Sequence, residues 1–211
     1  VGVDVDVLAS SEDQNFSYIP KGFEIPSNLD YLHYTSNNTI YGTQFQEQVK
    51  TTVPLVCDMS SDIFSKEINV ADFDLIYAGA QKNLGPAGAT LYIVKEEVLG
   101  KFKTPFMPTY FNLAKQHEKE SMLNTPPVFS VYVAMLNLRD LIATGGVKAA
   151  EERNNAKAGL LYNEIDNNPL FVSKVAVEDR SKMNVTFLLE DETRTETFNQ
   201  LWKAAGISGL N

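Results

Sequence analysis

The chain has 211 residues, 44% of them hydrophobic and 21% charged, and its 18 basic against 27 acidic side chains give a formal net charge of −9. That length and composition fit one large folded domain or two small ones and exclude the disordered and fibrous classes. The negative balance argues against nucleic acid or an anionic membrane as the main partner, and no apolar run reaches the roughly 18 residues needed to span a bilayer.

In chain order, Val1, Val3, Val5 and Val7 alternate with Gly2, Asp4 and Asp6, a period of two that predicts a strand with one wet face. A polar loop follows over 10–20, and then a Pro- and Asn-rich stretch to Asp30. Tyr31–Tyr34 is a short strand candidate, closed by the turn composition Thr35-Ser-Asn-Asn-Thr39. Val53–Cys57, Leu75–Ala78 and Ala89–Val94 are unbroken apolar runs, the pattern of α/β-sheet strands buried on both faces.

The second half reads as helical. Thr125-Pro-Pro127 is expected to open a helix, with a threonine cap and proline in the first turn. The segment 128–142 is apolar on nearly every side and is expected to be buried. Gly145-Gly146 ends it, and Val147, Ala150, Asn154, Ala158, Leu161 and Ile165 then mark one face of a long amphipathic helix, with Asn154 the exception. Met183–Leu189 reads as a strand. Thr193-x-x-Glu196 has the form of a capping box ahead of Phe198, Leu201, Trp202 and Ala205, with Gly206 as the stop and Ile207–Leu210 as the start of another strand. A domain boundary is expected where the strand-rich half gives way to the long helix, dividing the chain into 1–148 and 149–211.

Cys57 leaves no scope for an internal disulfide or a cysteine-based zinc site and fits a reducing cytosol; it reads as a small core residue. His33 and His117 lie far apart, so no metal site is expected; His33 is expected to be partly buried and His117 solvated. Trp202 is expected in a core. There is no charged-then-apolar leader, and the chain opens at Val1 in a strand-like pattern, so it reads as a piece of something longer. The nucleotide-binding glycine loops, the nucleophile elbow and the His-Glu-x-x-His zinc motif are all missing from the sequence. Three glycosylation sequons, at Asn15, Asn37 and Asn184, are short enough to occur by chance.

The informative stretch is 53–94. Asp58 stands where an apolar run meets the Ser-rich Met59-Ser60-Ser61, and Lys82 stands just past the next run, in Ala78-Gly-Ala-Gln-Lys-Asn-Leu-Gly-Pro-Ala-Gly88. A carboxylate at one strand end and an amine in the turn after another suit pyridoxal phosphate: the amine holds its aldehyde, and the carboxylate keeps its ring nitrogen protonated. On spacing alone the pair also reads as a solvated turn lysine and an aspartate bonding its own loop, and that plainer reading is the commoner one.

Five blocks resemble one family. Val53-Pro-Leu-Val-Cys-Asp-Met-Ser-Ser61 and Ile76-Tyr-Ala-Gly-Ala-Gln-Lys-Asn-Leu-Gly-Pro-Ala-Gly88 resemble the phosphoserine aminotransferases, as do Thr35-Ser-Asn-Asn-Thr-Ile-Tyr-Gly42, Ser121-Met-Leu-Asn-Thr-Pro-Pro127 and Arg180-Ser-Lys-Met-Asn-Val185, in family order. The resemblance implies an α/β fold of the pyridoxal-phosphate-dependent transferase fold type I. The chain would hold the later part of a large mixed-sheet domain and the start of a smaller C-terminal domain. It implies pyridoxal 5′-phosphate as cofactor, Lys82 as the Schiff-base lysine and proton shuttle, and Asp58 on the pyridine nitrogen. Gln81 would contact the cofactor phosphate and Thr39 the region of its phenolic oxygen. Asn124 and Thr125 would reach the phosphate of a cofactor in the neighbouring subunit of a homodimer. A side-chain amide, a hydroxyl and a helix start are sound phosphate ligands, though Thr39 also reads as a turn hydroxyl, Asn124 as a turn residue and Thr125 as a plain cap.

The implied activity is a cytoplasmic transaminase moving an amino group from glutamate to 3-phosphohydroxypyruvate. Its products are phosphoserine, for serine biosynthesis, and 2-oxoglutarate; in bacteria the family also serves pyridoxine synthesis. Two alternatives are another class-V aminotransferase acting on a non-phosphorylated keto acid and an incompetent cofactor-binding or dimerising fragment. The family's Gly-rich phosphate loop, stacking aromatic and substrate-binding arginines have no match here, so the 211 residues alone are expected to lack transaminase activity.

Overall fold

The computed structural model describes residues 4–101 and 107–210. Four strands form one sheet in sequential order: β1 (Leu32–Thr35), β2 (Leu55–Asp58), β3 (Leu75–Gly79) and β4 (Thr90–Val94). The first three run parallel and β4 returns antiparallel to β3. The period-two geometry of a strand sends Leu32, Leu55, Cys57, Ile76 and Ala78 to one face. There they form the core with Met59, Ile63, Phe73 and Leu84 from the connecting loops.

The apolar runs do locate the strands, but burial on both faces is not what the described residues show. Tyr92 is 48% exposed. The face carrying His33, Val56, Tyr77 and Tyr92 borders an open cleft of about 790 Å³, flanked by Phe111–Glu118. An unbroken apolar run records a capacity for two-sided burial, not what lies on each side. The alternation at the N-terminus fails differently. Val1–Val3 lie outside the described residues, and 4–7 form no strand, with Val5 and Val7 exposed. Alternation proposes a face, but a strand also needs a neighbour for its N–H and C=O groups.

A short helix α1 (Leu113–Glu118) is capped by Asn112, whose side chain accepts the Lys115 N–H. Helix α2 (Val128–Ala143) follows, and α3 (Gly146–Asn167) leaves it at 85°. The bend sits at Gly145 and Gly146, both at positive φ, where a side chain would be strained. Two expectations about α2 are corrected. Thr125 makes no cap bond; the position before the helix is Pro127, without a side-chain cap. Nor is the helix buried: Ser130 is its one buried residue, and Val128, Phe129 and Ile142 are exposed. Its inner side touches the core through Ala134 and Leu138, while Ser130 donates to the Ala87 carbonyl and Asn137 to that of Leu84. All-round apolarity says only that no face is costly to bury.

Along α3 the buried residues are Ala150, Ala158, Tyr162 and Ile165; Tyr162, not Leu161, completes the stripe. Asn154, the exception in the apolar pattern, donates to the Ser65 carbonyl, and Glu151 accepts the Glu67 N–H, so this end of the helix docks by polar contacts. A second cluster joins Ala158, Tyr162 and Ile165 to Phe171, Val185 and Phe187. Phe171 opens the two-residue strand β5 (Phe171–Val172), which pairs antiparallel with β6 (Leu188–Leu189), so the strand expected over 183–189 shrinks to its end.

Phe198 of the last helix, α4 (Thr195–Ala204), meets Phe171 and Phe187 edge to face. The Thr193–Glu196 capping box does not form: Asp191 takes the Thr193 N–H and Glu196 pairs with Gln200. Trp202 is half-buried, and its indole N–H donates to Asn199. The strand expected at 207–210 is irregular, and Asn211 lies outside the described residues. His33 proves exposed.

Candidate active site

The carboxyl ends of parallel strands are where loops of an α/β sheet converge. Thr35 and Asp58 stand side by side there at the ends of β1 and β2, with Tyr77 of β3 next in register. Asp58 closes β2, and its carboxylate accepts the Ser60 N–H at 2.8 Å. The Ser60 hydroxyl accepts the Gly79 N–H at 3.0 Å, which ties the loop after β2 to the end of β3. Beyond Gly79 the chain turns: the Ala80 N–H bonds the Ala89 carbonyl, and the Gly85 N–H bonds that of Ala80.

Lys82 sits exposed on this turn and donates to the Thr39 hydroxyl at 3.5 Å. Gln81 folds back over Gly79; a Cβ there would lie 2.7 Å from the Gln81 Oε1, so the absent side chain makes room for the carboxamide. Of the six residues singled out in the sequence, Thr39, Asp58, Gln81 and Lys82 are therefore grouped at one sheet edge. Asn124 and Thr125 are exposed, with Asn124 donating to the Thr125 carbonyl. Among the described residues no hydrogen bond joins these two to the Lys82 group.

The Thr39 turn is built by Asn38. Its carboxamide oxygen accepts the Ile40 and Tyr41 N–H groups, and its backbone exchanges bonds with Gly42 and Thr43. Beneath it lies a buried polar network, hinted at in the sequence only by a run of Ser and Asn. Ser36 donates to the Asp58 carbonyl and to the Asp62 carboxylate, and Gln44 donates to the other Asp62 oxygen. Asn37 and Ser61 bond each other twice. Each member is satisfied by another, which is what allows polar groups at this depth.

Burial pushes the Asp62 carboxyl above its ordinary value, opposed by the Ser36 and Gln44 hydrogen bonds. It also pushes the Cys57 thiol up to about 12, so this cysteine stays protonated and serves as packing. The Tyr77 hydroxyl, raised to about 12 by burial and then by the Asp58 carboxylate, bonds His33 Nε2 at 3.0 Å. Hence Asp58 faces a neutral phenol as well as a backbone N–H. Two of the sequons are closed off by this packing: Asn37 is buried, and its carboxamide donates to Asn184.

The chain matches the family described as aminotransferase class-V over residues 1–208. It is 62% identical over 204 residues to the phosphoserine aminotransferase of Flavobacterium johnsoniae, covering 97% of this chain and 57% of that protein. With the phosphoserine aminotransferase of Parabacteroides distasonis the identity is 49% over 209 residues, 98% of this chain and 59% of the relative. Among solved structures, the phosphoserine aminotransferase of Bacillus circulans subsp. alkalophilus superposes with a TM-score of 0.94 at 38% identity, over 99% of this chain and 59% of that one. A pyridoxal-phosphate-bound phosphoserine aminotransferase from Trichomonas vaginalis gives 0.93 at 31% identity, over 99% and 60%. The chain thus spans 57–60% of the length of these relatives.

Proposed function

The chain belongs to the class-V aminotransferase family, and on that premise we propose that it is the cofactor-anchoring portion of a phosphoserine aminotransferase. The reaction is transfer of an amino group from glutamate to 3-phosphohydroxypyruvate, giving phosphoserine and 2-oxoglutarate. The observation that carries the proposal is the meeting of Lys82 with Thr39 at the sheet edge that also ends in Asp58, since family identity alone names a reaction and not the groups performing it.

The donor set fits pyridoxal phosphate, which when bound supplies an electron sink for the bond-breaking at the substrate α-carbon. Lys82 offers an exposed amine on a short turn, able to hold the aldehyde covalently and, once released, to move the proton at the substrate Cα. Asp58, fixed by the Ser60 N–H, holds the proton on the pyridine nitrogen. The Gln81 carboxamide is the phosphate contact, and the Thr39 hydroxyl orients the phenolic side of the ring. Asn124 and Thr125, exposed beside the start of α2, reach the partner subunit's cofactor in a homodimer.

We divide the chain functionally at 148–149. The first part carries the cofactor groups, and the second begins the smaller domain, whose Ala158–Phe187 cluster is separate from the sheet core. No single described helix is long and apolar enough to cross a membrane, and we place the enzyme in the cytoplasm. Borohydride reduction of the cofactor-loaded full-length protein, followed by peptide mass mapping, tests the proposal. The cofactor mass belongs on the peptide containing Lys82, and its appearance on Lys95 or Lys101 would overturn the assignment.

A further inference from the structure

The turn that carries Thr39 is held by residues far down the chain. Backbone bonds run from the Gln44 N–H to the Asp179 carbonyl and from the Ser181 N–H to the Gly42 carbonyl, with Thr43 and Arg180 in an antiparallel bridge. Side chains complete the seam. The Ser181 hydroxyl donates to the Asn37 carboxamide oxygen across 144 positions of sequence. Asn37 donates to Asn184 at 2.8 Å, Thr186 to the Tyr41 carbonyl at 3.0 Å, and the Lys182 N–H to Gln44 Oε1 at 2.9 Å. Ser181 is 0% exposed, and its oxygen also accepts the Met183 and Asn184 N–H groups.

The fit is close enough to restrict sequence. Gly42 sits at φ +76°, and a Cβ there would lie 2.4 Å from Thr186 Oγ1. Behind the seam, the Tyr162 hydroxyl of α3 donates to the Ser181 carbonyl. The Arg180 guanidinium forks onto Asp166 at 2.7 and 2.8 Å and lies over the Tyr162 ring. A short turn with few apolar contacts would otherwise sit at the low-stability end of a protein. Here it inherits the rigidity of α3 and its aromatic cluster.

We infer that Asp179–Thr186 is a latch which fixes Thr39 opposite Lys82, with Ser181 and Asn184 as positioning residues that never touch the cofactor. The latch couples the smaller domain to the cofactor turn, and its consequence for the cofactor rests on the proposed roles of Thr39 and Lys82. Three variants of the full-length protein test it, with amide hydrogen exchange at 38–44 read in the cofactor-free state and pyridoxal phosphate affinity by equilibrium dialysis. Asn184→Ala and Ser181→Ala each remove a partner of Asn37, and each should speed exchange at 38–44 about tenfold or more, while β1–β3 stay protected. Asn184→Asp keeps the acceptor oxygen and should behave like wild type. The alanine variants should also bind pyridoxal phosphate several-fold more weakly.

Should Ser181→Ala fail to fold, the half-exposed Asn184 carries the test. Unchanged exchange in Asn184→Ala would overturn the latch, whatever the cofactor does. Faster exchange with cofactor affinity unchanged would overturn the positioning role. Wild-type protein that shows the exchange contrast yet takes up no pyridoxal phosphate would sink the proposed function and leave the latch standing.

Discussion

Two turns meet at the carboxyl edge of the sheet, and they are held by different partners. The Asn37–Gln44 turn is stitched on both sides, to Ser61 and Asp62 after β2 and to the Asp179–Thr186 segment beyond α3. The Ala80–Gly88 turn is closed by its own backbone and pinned to α2, whose Asn137 and Ser130 hold the Leu84 and Ala87 carbonyls; among the described residues the exposed Lys82 side chain makes one long contact, to Thr39. The contrast matches the work proposed for each. A hydroxyl that orients a ring gains from a fixed position, because misplacement is costly in catalysis. An amine that must bond the cofactor, release it and then move a proton has to travel. Rigid backbone under a free side chain meets the second need, and a polar seam meets the first.

The sharpest way to break this contrast is at the mobile group. In the full-length protein, Lys82→Ala should abolish borohydride-dependent labelling and, on its proposed role, remove the proton shuttle, a loss of about 10²–10⁴-fold from that function alone. The fold should be intact, since the side chain is exposed and touches one hydroxyl. Steady-state transamination within a few-fold of wild type would end the assignment.

Next in size is the fixed carboxylate. Asp58→Ala leaves the Ser60 N–H without its acceptor and, on the proposed role, the ring nitrogen without its counter-charge. Turnover should fall about 10²–10³-fold, the scale of losing one preorganised electrostatic contact. Covalent labelling at Lys82 should persist, which separates the two residues: one holds the cofactor, the other makes it reactive. Turnover near wild type in this variant would remove Asp58 from the site.

A third variant sharpens the comparison on stability. Gly42→Ala places a side chain at positive φ and against Thr186, in the clamped turn. A cost of about 1–3 kcal/mol is expected, read as a lower urea midpoint with unchanged slope. Gly100, also at positive φ, has open space among the described residues where its Cβ would go, so Gly100→Ala should lack the steric share of that cost. Equal losses at both glycines would show that the seam around Gly42 is slack.

These contrasts also mark what the sequence could tell. The sheet strands were legible because runs such as Leu75–Ala78 and Ala89–Val94 need no partner information to be recognised as apolar. The grouping of Asp58 with Lys82 followed from strand-end placement, and family resemblance gave it chemistry. The exposed side of α2 was not legible, since apolar composition cannot report whether anything covers it. The Asn37–Ser181–Asn184 seam was hidden for a different reason. Ser and Asn are also ordinary turn residues, and only the fold brings positions 144 apart into contact. Asn154 and Tyr162 belong to the same class: a polar break and a shifted stripe, each explained by a partner in another element.

The smallest expected effect lies at the far end of the seam, where its sign is its main content. Arg180 donates two hydrogen bonds to Asp166 and holds that carboxyl below its ordinary value. An aspartate titrates near 3.9 in an unfolded chain, so with the folded value lower, protons bind the unfolded state preferentially as the solution is acidified. The stabilisation is therefore complete above that pH and drains away as pH falls through the folded value. The Asp166 side chain is 48% exposed, so the screened pair is worth about 1 kcal/mol at most. Asp166→Asn should lower the urea midpoint slightly at pH 7, and the gap to wild type should narrow as pH falls below about 3.9 and on through the folded value, because wild type alone loses an interaction over that range. A gap that stays constant, or widens in acid, would mean that the Arg180 fork contributes shape to the seam and no charge-dependent stability.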